Sequence, residues 1–488
     1  MKVETKKPEM EKISDYIWEI SPEYKKGMNV PARIYASKKL LDEMDAGVFE
    51  QVTNVACLPG IQKYAYCMPD GHWGYGFPIG GVAAFDVNEG VISPGGIGFD
   101  INCGMRLVTT NLTFKDFQPK LKETVDLLFK RVPAGVGGKG FVSVNMSQFK
   151  EVAETGSRWC IENGYGWEND LKRIEEHGCI KQADFSKVSD RARQRGIAQL
   201  GTLGSGNHYL EIQIAKSANI FDEKAAKKMG IVTPDQVVVM VHCGSRGFGH
   251  QIGTDYLKTF GEIMPKYGIH VLDRELACAP FQSKEAQDYY KAMACAANMA
   301  FANRQVILHR IRECFSSVFK TSAEDLEMNL VYDVAHNIAK VEKHKIDGKL
   351  REVVMHRKGA TRSFGPGFGD LPPEYEEIGQ PVIIGGSMET GSYLLTGTHR
   401  AMEETFGSTA HGSGRTMSRT QAKHEFRGDK LQREMELHGI YVRATSMSGL
   451  AEEAGEAYKS ISEVVDTIDK AGISHKVVGF SPIGNVKG

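Results

Sequence analysis

The segment that decides the fold is residues 237–246, Val-Val-Val-Met-Val-His-Cys-Gly-Ser-Arg, where five apolar residues run directly into a histidine and a glycine turn. A short valine-rich run closed by glycine is typical of a buried β-strand. Outward from this segment, similar runs predict five further strands of the same core: Gly81–Phe85, Arg106–Leu112, Leu330–Val334, Glu352–Met355 and Pro381–Ile384.

Helical patterns lie between these runs. Phe117–Arg131 has helical spacing of its apolar residues and stops before Pro133, and Glu285–Phe319 predicts one long helix or two abutting ones. Ala451–Ala471 predicts a late helix, and residues 150–200 predict a charged helical insertion. Because strands and helices alternate irregularly, we expect a mixed α+β fold with a central β-core and surrounding helices.

The candidate functional loops are spread along most of the chain, without a repeat or a clear linker between them. This distribution favours a single large catalytic domain over residues 1–488. Within it, residues 1–50 are charged and polar with short apolar runs, and we expect them to form an N-terminal cap.

The overall charge is close to zero, since 60 Lys and Arg stand against 61 Asp and Glu in 488 residues. A strongly basic coat for nucleic acids and an acidic tail are therefore excluded, and any polyanion has to bind a local patch. The nine cysteines are an odd number without a C-x-x-C pair, which favours a reducing, cytoplasmic compartment. No apolar signal region and no membrane-spanning run is present, so neither secretion nor membrane insertion is predicted.

Four segments share one form, an apolar strand-like run with a histidine or cysteine at its end and then glycine or asparagine. They supply Cys103, His208, His242 and His336, and Asp100 lies just before Cys103. Taken singly, each residue is more typical of a surface or core position, but strand ends are where enzymes of mixed architecture often place their chemistry. Thiolate, imidazole and carboxylate suit Zn²⁺ or Mn²⁺ better than Mg²⁺ or Ca²⁺. With a bridging thiolate, these five ligands could serve two adjacent ions.

A second group of residues is basic and rich in glycine. Gly385-Gly-Ser-Met388 follows a predicted strand, and His411-Gly-Ser-Gly-Arg415 follows a helical stretch. Glycine lets backbone N–H groups approach phosphate oxygens, and Arg415 adds a planar bidentate donor. His411 could act there as an acid or base, or as a nitrogen nucleophile on a phosphoryl group. For this motif alone, the alternative is a tight glycine turn with a solvated arginine.

Three other patterns are less specific. The cationic clusters His356–Arg362 and Asp190–Arg195 could follow a nucleic-acid backbone, although each is by default a solvated face. Lys345-Ile-Asp-Gly348 fits the K-x-D-G pattern of lysine nucleotidyl transferases. Because Asp347-Gly348 lies between two strand-like runs, it predicts a two-residue hairpin turn instead.

Eight segments carry a family resemblance and run in order through nearly the whole chain. They are Pro69-Asp-Gly-His72 with the Gly-Tyr-Gly that follows, SPGGIGFDINCG, QLGTLGSGNHYLEI, VHCGSRGFGHQ, YDVAHNIAKVE, VMHRKGATR, FGSTAHGSGR and Asn485-Val-Lys-Gly. With these motifs the chain resembles the RtcB family of RNA ligases.

The resemblance implies a GTP-dependent enzyme that joins RNA ends carrying a 2′,3′-cyclic phosphate or a 3′-phosphate to 5′-hydroxyl ends, as in tRNA splicing and RNA repair. It implies RNA partners such as tRNA exon halves, and an archease-type activating protein. It also implies two Mn²⁺ ions bridged by Cys103, one completed by Asp100 and His208 and the other by His242 and His336. His411 would take GMP as a phosphoramidate, and the RNA 3′-phosphate would then receive it as an RNA(3′)pp(5′)G intermediate.

The resemblance further implies a nucleotide site, next to which Arg415 would stabilise charge on the phosphate. The residues it implies for this site are Asn207, His208, Glu211, His336, Asn337, Gly385, Gly386, Ser387, Met388, Ser392, His411, Gly412, Ser413, Gly414, Tyr458 and Lys487.

Four positions depart from the family pattern. Ala410 stands where the family often has cysteine, and Phe368 where many members have histidine. Glu389 replaces a usual small residue beside the guanine pocket, and Gly455 replaces a usual proline. None of these changes touches a metal or nucleophile position, but the two pocket changes bear on base preference.

Two other functions remain open at this point. One is a metal-dependent cyclic phosphodiesterase or phosphatase that uses no nucleotide, which a covalent GTP adduct would exclude. The other is a non-catalytic RNA-binding scaffold, which would leave the five ligand-type side chains without a purpose.

Overall fold

Two large β-sheets carry the fold in the computed structural model, which describes residues 7–369 and 371–488. Residues 1–6 of the expected N-terminal cap lie outside the described ranges. The strands in chain order are β1 (Glu11–Ser14), β2 (Ile17–Ile20), β3 (Ala32–Tyr35), β4 (Ala65–His72), β5 (Ile79–Asp86), β6 (Val91–Ile92), β7 (Gly104–Thr113), β8 (Tyr209–Ile220), β9 (Gln236–Cys243), β10 (Ala279–Pro280), β11 (Leu330–Ala335), β12 (Asn337–Ile346), β13 (Lys349–Lys358), β14 (Ala360–Arg362), β15 (Pro381–Gly385), β16 (Ser392–Gly397), β17 (Ser408–Ala410), β18 (Tyr441–Ala444) and β19 (Ser474–Lys487).

Helices of very different lengths surround the sheets. In chain order they are α1 (Lys38–Glu43), α2 (Ala46–Val55), α3 (Phe114–Phe117), α4 (Leu121–Arg131), α5 (Met146–Thr155), α6 (Ser157–Glu162), α7 (Glu168–Leu171), α8 (Asp190–Gly196), α9 (Glu223–Lys228), α10 (Arg246–Ile263), α11 (Lys284–Phe319), α12 (His399–Glu404), α13 (Arg419–Glu425), α14 (Gly428–Leu437), α15 (Met447–Ala451) and α16 (Ile461–Lys470). Among the described residues, none of these helices is long and apolar enough to cross a membrane.

Strand order explains how distant parts of the chain meet. The seven-stranded sheet runs β1-β2-β3-β4-β5-β13-β12, and the eight-stranded sheet runs β11-β7-β9-β8-β19-β16-β15 with β18 beside β19. The pairs β6–β10 and β14–β17 form two small sheets. Antiparallel pairing dominates, but β3–β4 and β18–β19 are parallel. Together with the helices, this confirms the predicted mixed α+β class.

Most predicted elements are present. The valine-rich run lies in β9, and the five other strand predictions correspond to β5, β7, β11, β13 and β15. The long helical segment is a single helix, α11, whose alanines and methionines are almost all buried. Asp347 and Gly348 form the two-residue turn between β12 and β13, both with positive φ as such a turn requires, which confirms the hairpin.

Two helix predictions extend too far. The helix predicted from Phe117 begins at Leu121, after a 3₁₀ turn at Gln118–Lys120 that contains a proline. The late helix covers only α16, because the segment before it forms a 3₁₀ turn at Gly455–Ala457 and then an extended Tyr458. In the first case the proline of the turn overrides the apolar periodicity.

A fully buried ion cluster lies between α11 and the eight-stranded sheet. Asp333 on β11 accepts from Nε of Arg106 at 2.7 Å and from Nη2 of Arg304 at 2.8 Å. Arg304 also donates to the backbone carbonyls of Asn102 and Cys243, which adjoin the ends of β7 and β9. The cluster therefore attaches α11 to the end of the sheet where β7 begins and β9 ends.

We predict that Asp333→Ala lowers the unfolding free energy by about 3–5 kcal/mol, because two buried guanidinium groups lose their carboxylate. The thermal and urea midpoints would both fall. Asp15→Ala is the control, since Asp15 pairs with Lys12 on the exposed surface and its loss should leave both midpoints unchanged. Equal midpoints for the two variants would contradict the structural role of the cluster.

Candidate metal and nucleotide site

Four strands of the eight-stranded sheet bring the predicted metal ligands to one edge. Cys103 and His208 immediately precede β7 and β8, whereas His242 is the penultimate residue of β9 and His336 follows β11. Neighbouring strands are antiparallel, with Tyr209 opposite His242, so the starts of two strands and the ends of two others share an edge. The prediction that all four residues lie at the ends of their strands is wrong for Cys103 and His208, which lie at the starts.

The donor atoms of these side chains form two groups that share the Cys103 thiol. Asp100 and His208 belong to one group and His242 and His336 to the other, and within each group the donor atoms lie within 4.8 Å of one another. Sγ of Cys103 is 3.3 Å from Nε2 of His208 and 3.1 Å from Nε2 of His242. Nε2 of His242 is 3.2 Å from Nε2 of His336, and Nε2 of His208 is 2.7 Å from Oδ2 of Asp100. The five side chains are thus grouped in the way that the resemblance implies.

Hydrogen bonds fix which nitrogen of two histidines carries the proton. Nδ1 of His242 is 2.9 Å from the carbonyl oxygen of Asn207, which only accepts, so Nε2 presents its lone pair to the ligand group. Nδ1 of His208 instead faces Nη1 of Arg246 at 3.1 Å, and a guanidinium only donates. Nε2 of His208 therefore carries the hydrogen and donates it to Asp100, so a metal ion binding there would displace a proton.

The environment of the two groups suits a divalent cation. Burial lowers the pKa of His208, His242 and His336, which keeps the imidazoles neutral. Burial and the Asp100 carboxylate raise the pKa of the Cys103 thiol, so a thiolate there needs a compensating cation. Within the described ranges, Nδ1 of His336 and Oδ1 of Asp100 are buried without a hydrogen-bond partner. One sulfur, three imidazoles and one carboxylate fit a borderline ion such as Zn²⁺ or Mn²⁺.

The candidate nucleophile His411 lies beside the second group. Its ring centroid is 4.8 Å from that of His336. Oδ2 of Asp70 accepts from Nδ1 of His411 at 2.6 Å and from the backbone N–H groups of His411 and Gly412 at 3.0 and 3.2 Å. Nδ1 therefore carries a hydrogen, and in the neutral tautomer Nε2 holds the lone pair. These contacts hold the pKa of Asp70 below its ordinary value against the effect of burial.

Asp70 is the main residue that the sequence analysis missed. It belongs to the Pro69-Asp-Gly-His72 motif on β4, but its partner lies 341 positions further along the chain. A carboxylate in a turn sequence most often caps the turn, so nothing local assigns it to a histidine. Only the resemblance pointed to this motif, and it gave Asp70 no role.

A cavity of about 220 Å³ opens between His411 and the glycine-rich loops. Most of the predicted site residues line it, together with seven that were not predicted. The predicted lining residues are Asn207, His242, His336, Asn337, Gly385, Gly386, Ser387, Met388, His411, Gly412, Ser413, Gly414, Arg415, Tyr458 and Lys487, and the others are His72, Ile79, Met105, Tyr209, Gly359, Arg419 and Glu453. Asp100, Cys103 and His208, which form the first ligand group, lie outside this lining.

Besides His208, two predicted nucleotide residues, Glu211 and Ser392, lie outside the cavity lining. Glu211 accepts from Nδ2 of Asn485 at 2.6 Å and contacts Gln213, whose Oε1 accepts from Ser392 at 2.7 Å. Burial raises the pKa of Glu211 to about 7. This network sits beneath Lys487, the lining residue on the same strand as Asn485.

Arg415 lines the cavity, but hydrogen bonds already hold its guanidinium in the wall. Nε donates to the carbonyl of Met417, Nη1 to the hydroxyl of Tyr458 at 2.9 Å, and Nη2 to the carbonyl of Glu452 at 2.7 Å. Its ring-stacked contact with Tyr458 adds to this attachment. Nη1 also lies 3.3 Å from Oε1 of the buried Glu453, so the positive charge of the arginine is paired within the wall. The arginine is thus neither solvated nor free to swing.

The cationic cluster His356–Arg362 lies in the interior, so neither a solvated face nor a nucleic-acid track describes it. Arg357 pairs with Glu342, Arg362 with Glu176, and Nζ of Lys358 donates to the carbonyls of Tyr75 and Gly95. These side chains are buried because β13 and β14 lie inside the molecule. In the second cluster, by contrast, Arg191 is exposed.

Comparison with known proteins gives consistent matches. The family model described as tRNA-splicing ligase RtcB matches residues 51–488. The protein named tRNA-splicing ligase RtcB from Methanococcus maripaludis is 56% identical over 477 residues, covering 98% of this chain and 99% of the relative. Relatives of the same name from Archaeoglobus fulgidus and Aeropyrum pernix are 55% and 49% identical, each with 98% of this chain and 99% of the relative covered.

Two of the departures from the family pattern contact each other. Oε1 of Glu389 accepts from the backbone N–H of Gly455 at 2.7 Å, a donor that proline would lack. A Cβ atom at position 455 would lie 2.9 Å from the same oxygen, so a larger residue there would displace the end of the glutamate side chain. The bond joins the loop of Ser387 and Met388 to the loop of Tyr458, both of which line the cavity. The two substitutions therefore form one contact across the pocket wall.

The other two departures lie away from the cavity. Ala410 is a buried residue of β17, and Phe368 packs edge-on against His399 at the surface. Neither lines the nucleotide cavity. They give no structural reason to expect altered nucleotide binding.

We predict that Gly455→Pro costs about 1 kcal/mol of stability, because it removes the hydrogen bond to Glu389. Ala454 is already extended, with φ −55° and ψ 144°, so the backbone accepts a proline at the next position. In a Glu389→Ala background the same substitution should be neutral or slightly stabilising. Thermal unfolding of the wild type, the two single variants and the double variant measures the coupling between the two positions, and an equal cost in both backgrounds would contradict it.

Proposed function

Because the chain belongs to the RtcB family of tRNA-splicing ligases, we propose that this RNA ligase joins an RNA end carrying a 2′,3′-cyclic phosphate or 3′-phosphate to a 5′-hydroxyl end, with GTP as co-substrate. The tRNA exon halves and broken RNAs of repair are the proposed substrates. The proposal includes an archease-type activator and a cytoplasmic location, the latter in keeping with nine cysteines that are all free.

One observation carries the nucleotide chemistry. Asp70 holds Nδ1 of His411, and Nε2 is left with a lone pair in a cavity edged by glycine-rich loops and by Arg415. A neutral imidazole fixed in this way is a nitrogen nucleophile, and backbone N–H groups of glycine loops suit phosphate oxygens. A histidine that only activates water would not need glycine-rich loops and an arginine around it.

In the first step, Nε2 of His411 attacks the α-phosphorus of GTP. The N–P bond forms, the bond to the bridging oxygen breaks, and pyrophosphate leaves with the electron pair. The imidazole becomes positively charged while Nδ1 keeps its hydrogen, and the buried Asp70 carboxylate balances that charge. Arg415, held in the wall by Tyr458, faces the growing negative charge on the phosphate.

In the second step, an oxygen of the RNA 3′-phosphate attacks the phosphorus of the histidine-bound GMP. The N–P bond breaks, His411 regains its lone pair, and RNA(3′)pp(5′)G forms. The 5′-hydroxyl of the second strand then attacks the phosphorus of the RNA 3′-phosphate, loses its proton, and releases GMP. A cyclic phosphate must first be opened by water to supply the 3′-phosphate.

The two ligand groups would hold two Mn²⁺ ions, one group supplying Asp100 and His208 and the other His242 and His336, with Cys103 common to both groups. Bound there, the ions would neutralise phosphate charge and lower the pKa of water or hydroxyl groups. Asn207 supports this arrangement, because its carbonyl fixes the tautomer of His242 while its side chain faces the nucleotide cavity.

The remaining predicted residues are proposed to bind the nucleotide. The N–H groups of Gly385, Gly386 and Gly412 to Gly414 would contact phosphate, and the ring of Tyr458 would contact the base or ribose. Asn337, Ser387, Met388 and Lys487 complete the cavity wall. Glu211 and Ser392 would act from beneath it, through the network that places Lys487 and Asn485.

We predict that His411→Ala abolishes transfer of radiolabel from GTP labelled at the α-phosphate to the protein. His344→Ala is a matched control, since His344 is also a buried histidine paired with a carboxylate, Glu342, but lies away from the cavity. The control should label normally. Covalent label persisting on His411→Ala would refute the nucleophile, and a wild-type protein that takes no label would favour the phosphodiesterase alternative.

We predict that Cys103→Ala removes the shared ligand of both groups, so that manganese binding falls from two ions and manganese-dependent labelling falls at least about 100-fold. Bound metal is measured after gel filtration, and labelling across a manganese titration. Cys160→Ala, which removes a buried thiol remote from the ligand groups, is the control. Wild-type labelling of Cys103→Ala at limiting manganese would mean that the cysteine is only structural.

A further inference from the structure

Lys459 is buried beside the nucleophile but belongs to none of the groups described so far. Its side chain is 5% exposed, and Nζ donates to the carbonyl oxygens of Pro69 at 3.2 Å and Gly71 at 2.5 Å. These two carbonyls flank Asp70. Its own backbone N–H donates to the carbonyl of Gly414 at 2.9 Å, in the loop that begins with His411.

The same residue therefore touches both halves of the nucleophilic pair. Asp70 belongs to β4 of the seven-stranded sheet, and the loop of His411 follows the small sheet of β14 and β17. The two segments are in close contact, because a Cβ atom at Gly414 would lie 2.1 Å from the carbonyl oxygen of Asp70. Lys459 closes this contact from the opposite side.

Burying the ammonium group of Lys459 costs folding free energy. Within the described ranges, no carboxylate lies within ion-pairing distance of Nζ, and its partners are two neutral carbonyls. Burial lowers the pKa of Lys459, and the weaker influences of Cys67, Asp70 and Glu43 oppose this shift without cancelling it. A buried ammonium without an ion-pair partner destabilises the fold relative to an apolar side chain of the same size. Its hydrogen bonds, however, hold the backbone of Pro69 and Gly71 in place, which an apolar side chain would not do.

We propose that Lys459 is a positioning residue for the guanylylation of His411: its ammonium holds the Pro69–Gly71 segment of β4 so that the carboxylate of Asp70 meets Nδ1. This inference rests on the proposed function. Lys459 does not line the nucleotide cavity, and its Nζ is committed to the two carbonyls, so it acts through Asp70 and not on the nucleotide. Asp70 in turn orients Nε2 towards the α-phosphorus, where small displacements reduce the rate strongly.

The role predicts an effect confined to one step. Nucleophilic attack by His411 forms the histidine–GMP bond, but sealing of preformed RNA(3′)pp(5′)G by a 5′-hydroxyl strand does not use the histidine. Loss of the ammonium should therefore slow the first reaction and leave the second intact. A general weakening of the fold would lower both.

The test compares Lys459→Met, which keeps the length of the side chain and removes its charge, with Lys25→Met. Lys25 is also partly buried and donates to Asn54, but lies outside the cavity lining. We expect Lys459→Met to lower the rate constant for labelling by GTP about 100-fold, with the KM for GTP and the sealing of RNA(3′)pp(5′)G unchanged. Lys25→Met should match wild type in both reactions. Equal loss in both steps, or no loss in either, would overturn the proposal.

A second comparison shows whether the effect passes through Asp70. In an Asp70→Asn background, Lys459→Met should lower labelling less than threefold further, because the carboxylate it positions is already gone. Full additivity of the two losses would overturn the proposal. If Lys459→Met does not fold, Lys459→Arg replaces it: this variant keeps the charge, but its longer planar guanidinium cannot occupy the position of Nζ between the two carbonyls, so labelling should fall while sealing stays at the wild-type rate. Wild-type labelling of a folded Lys459→Arg would overturn the proposal. Failure of the wild-type protein to take label would instead reject the proposed function itself.

Discussion

The antiparallel pairing of β11, β7, β9 and β8 is the constraint on which the site depends. Ala335 is opposite Gly104, Gly104 is opposite Cys243, and His242 is opposite Tyr209. Because side chains alternate between the faces of a strand, a register shift by one residue would turn a ligand such as His242 to the other face. The buried guanidinium of Arg304 supports this edge, since it bonds the carbonyls of Asn102 and Cys243 as well as Asp333.

The candidate nucleophile, His411, is held in place by a residue of the other sheet. Asp70 is on β4 of the seven-stranded sheet, whereas the ligands belong to the eight-stranded sheet. His411 stands between the two, close to both Asp70 and His336. The geometry of the centre is therefore set by how the two sheets pack, and not by either sheet alone. The contacts of Glu389 and Arg415 join loops around the cavity, and Lys459 joins one of these loops to β4.

Local pattern was sufficient for regular elements and for turns with distinctive chemistry. The valine run of β9, the helix α11 and the Asp347–Gly348 hairpin were all predicted, because their signals lie within a few neighbouring residues. The helix predicted from Ala451 is wrong before Ile461, because contacts with the cavity wall determine the conformation of this segment. Gly455 contacts Glu389 and Tyr458 contacts Arg415. Tertiary contacts override periodicity at such a place.

The residues of the candidate site were likewise predicted only where their signal is local. Cys103 and the three histidines stand out by residue type and by their neighbours, but their grouping around one thiol needs the strand order, and the pattern alone placed two of them at the wrong end of a strand. Asp70 carried no signal at all, since its role comes from a histidine 341 positions away. The cluster of cations around Arg357 shows the reverse error, because local charge predicts solvent contact whereas Glu342 provides a buried partner.

Buried charge is what joins these observations. A carboxylate that accepts three N–H bonds, as Asp70 does, is stable in an interior and rigid as well, because each bond removes a degree of freedom. The guanidinium of Arg415 is fixed in the same manner by carbonyl and hydroxyl groups. Groups that are already oriented need no rearrangement when charge develops on a phosphate, so their stabilisation goes to the transition state. Rigid placement, rather than net positive charge, is how a chain with almost no excess charge can handle a polyanionic substrate.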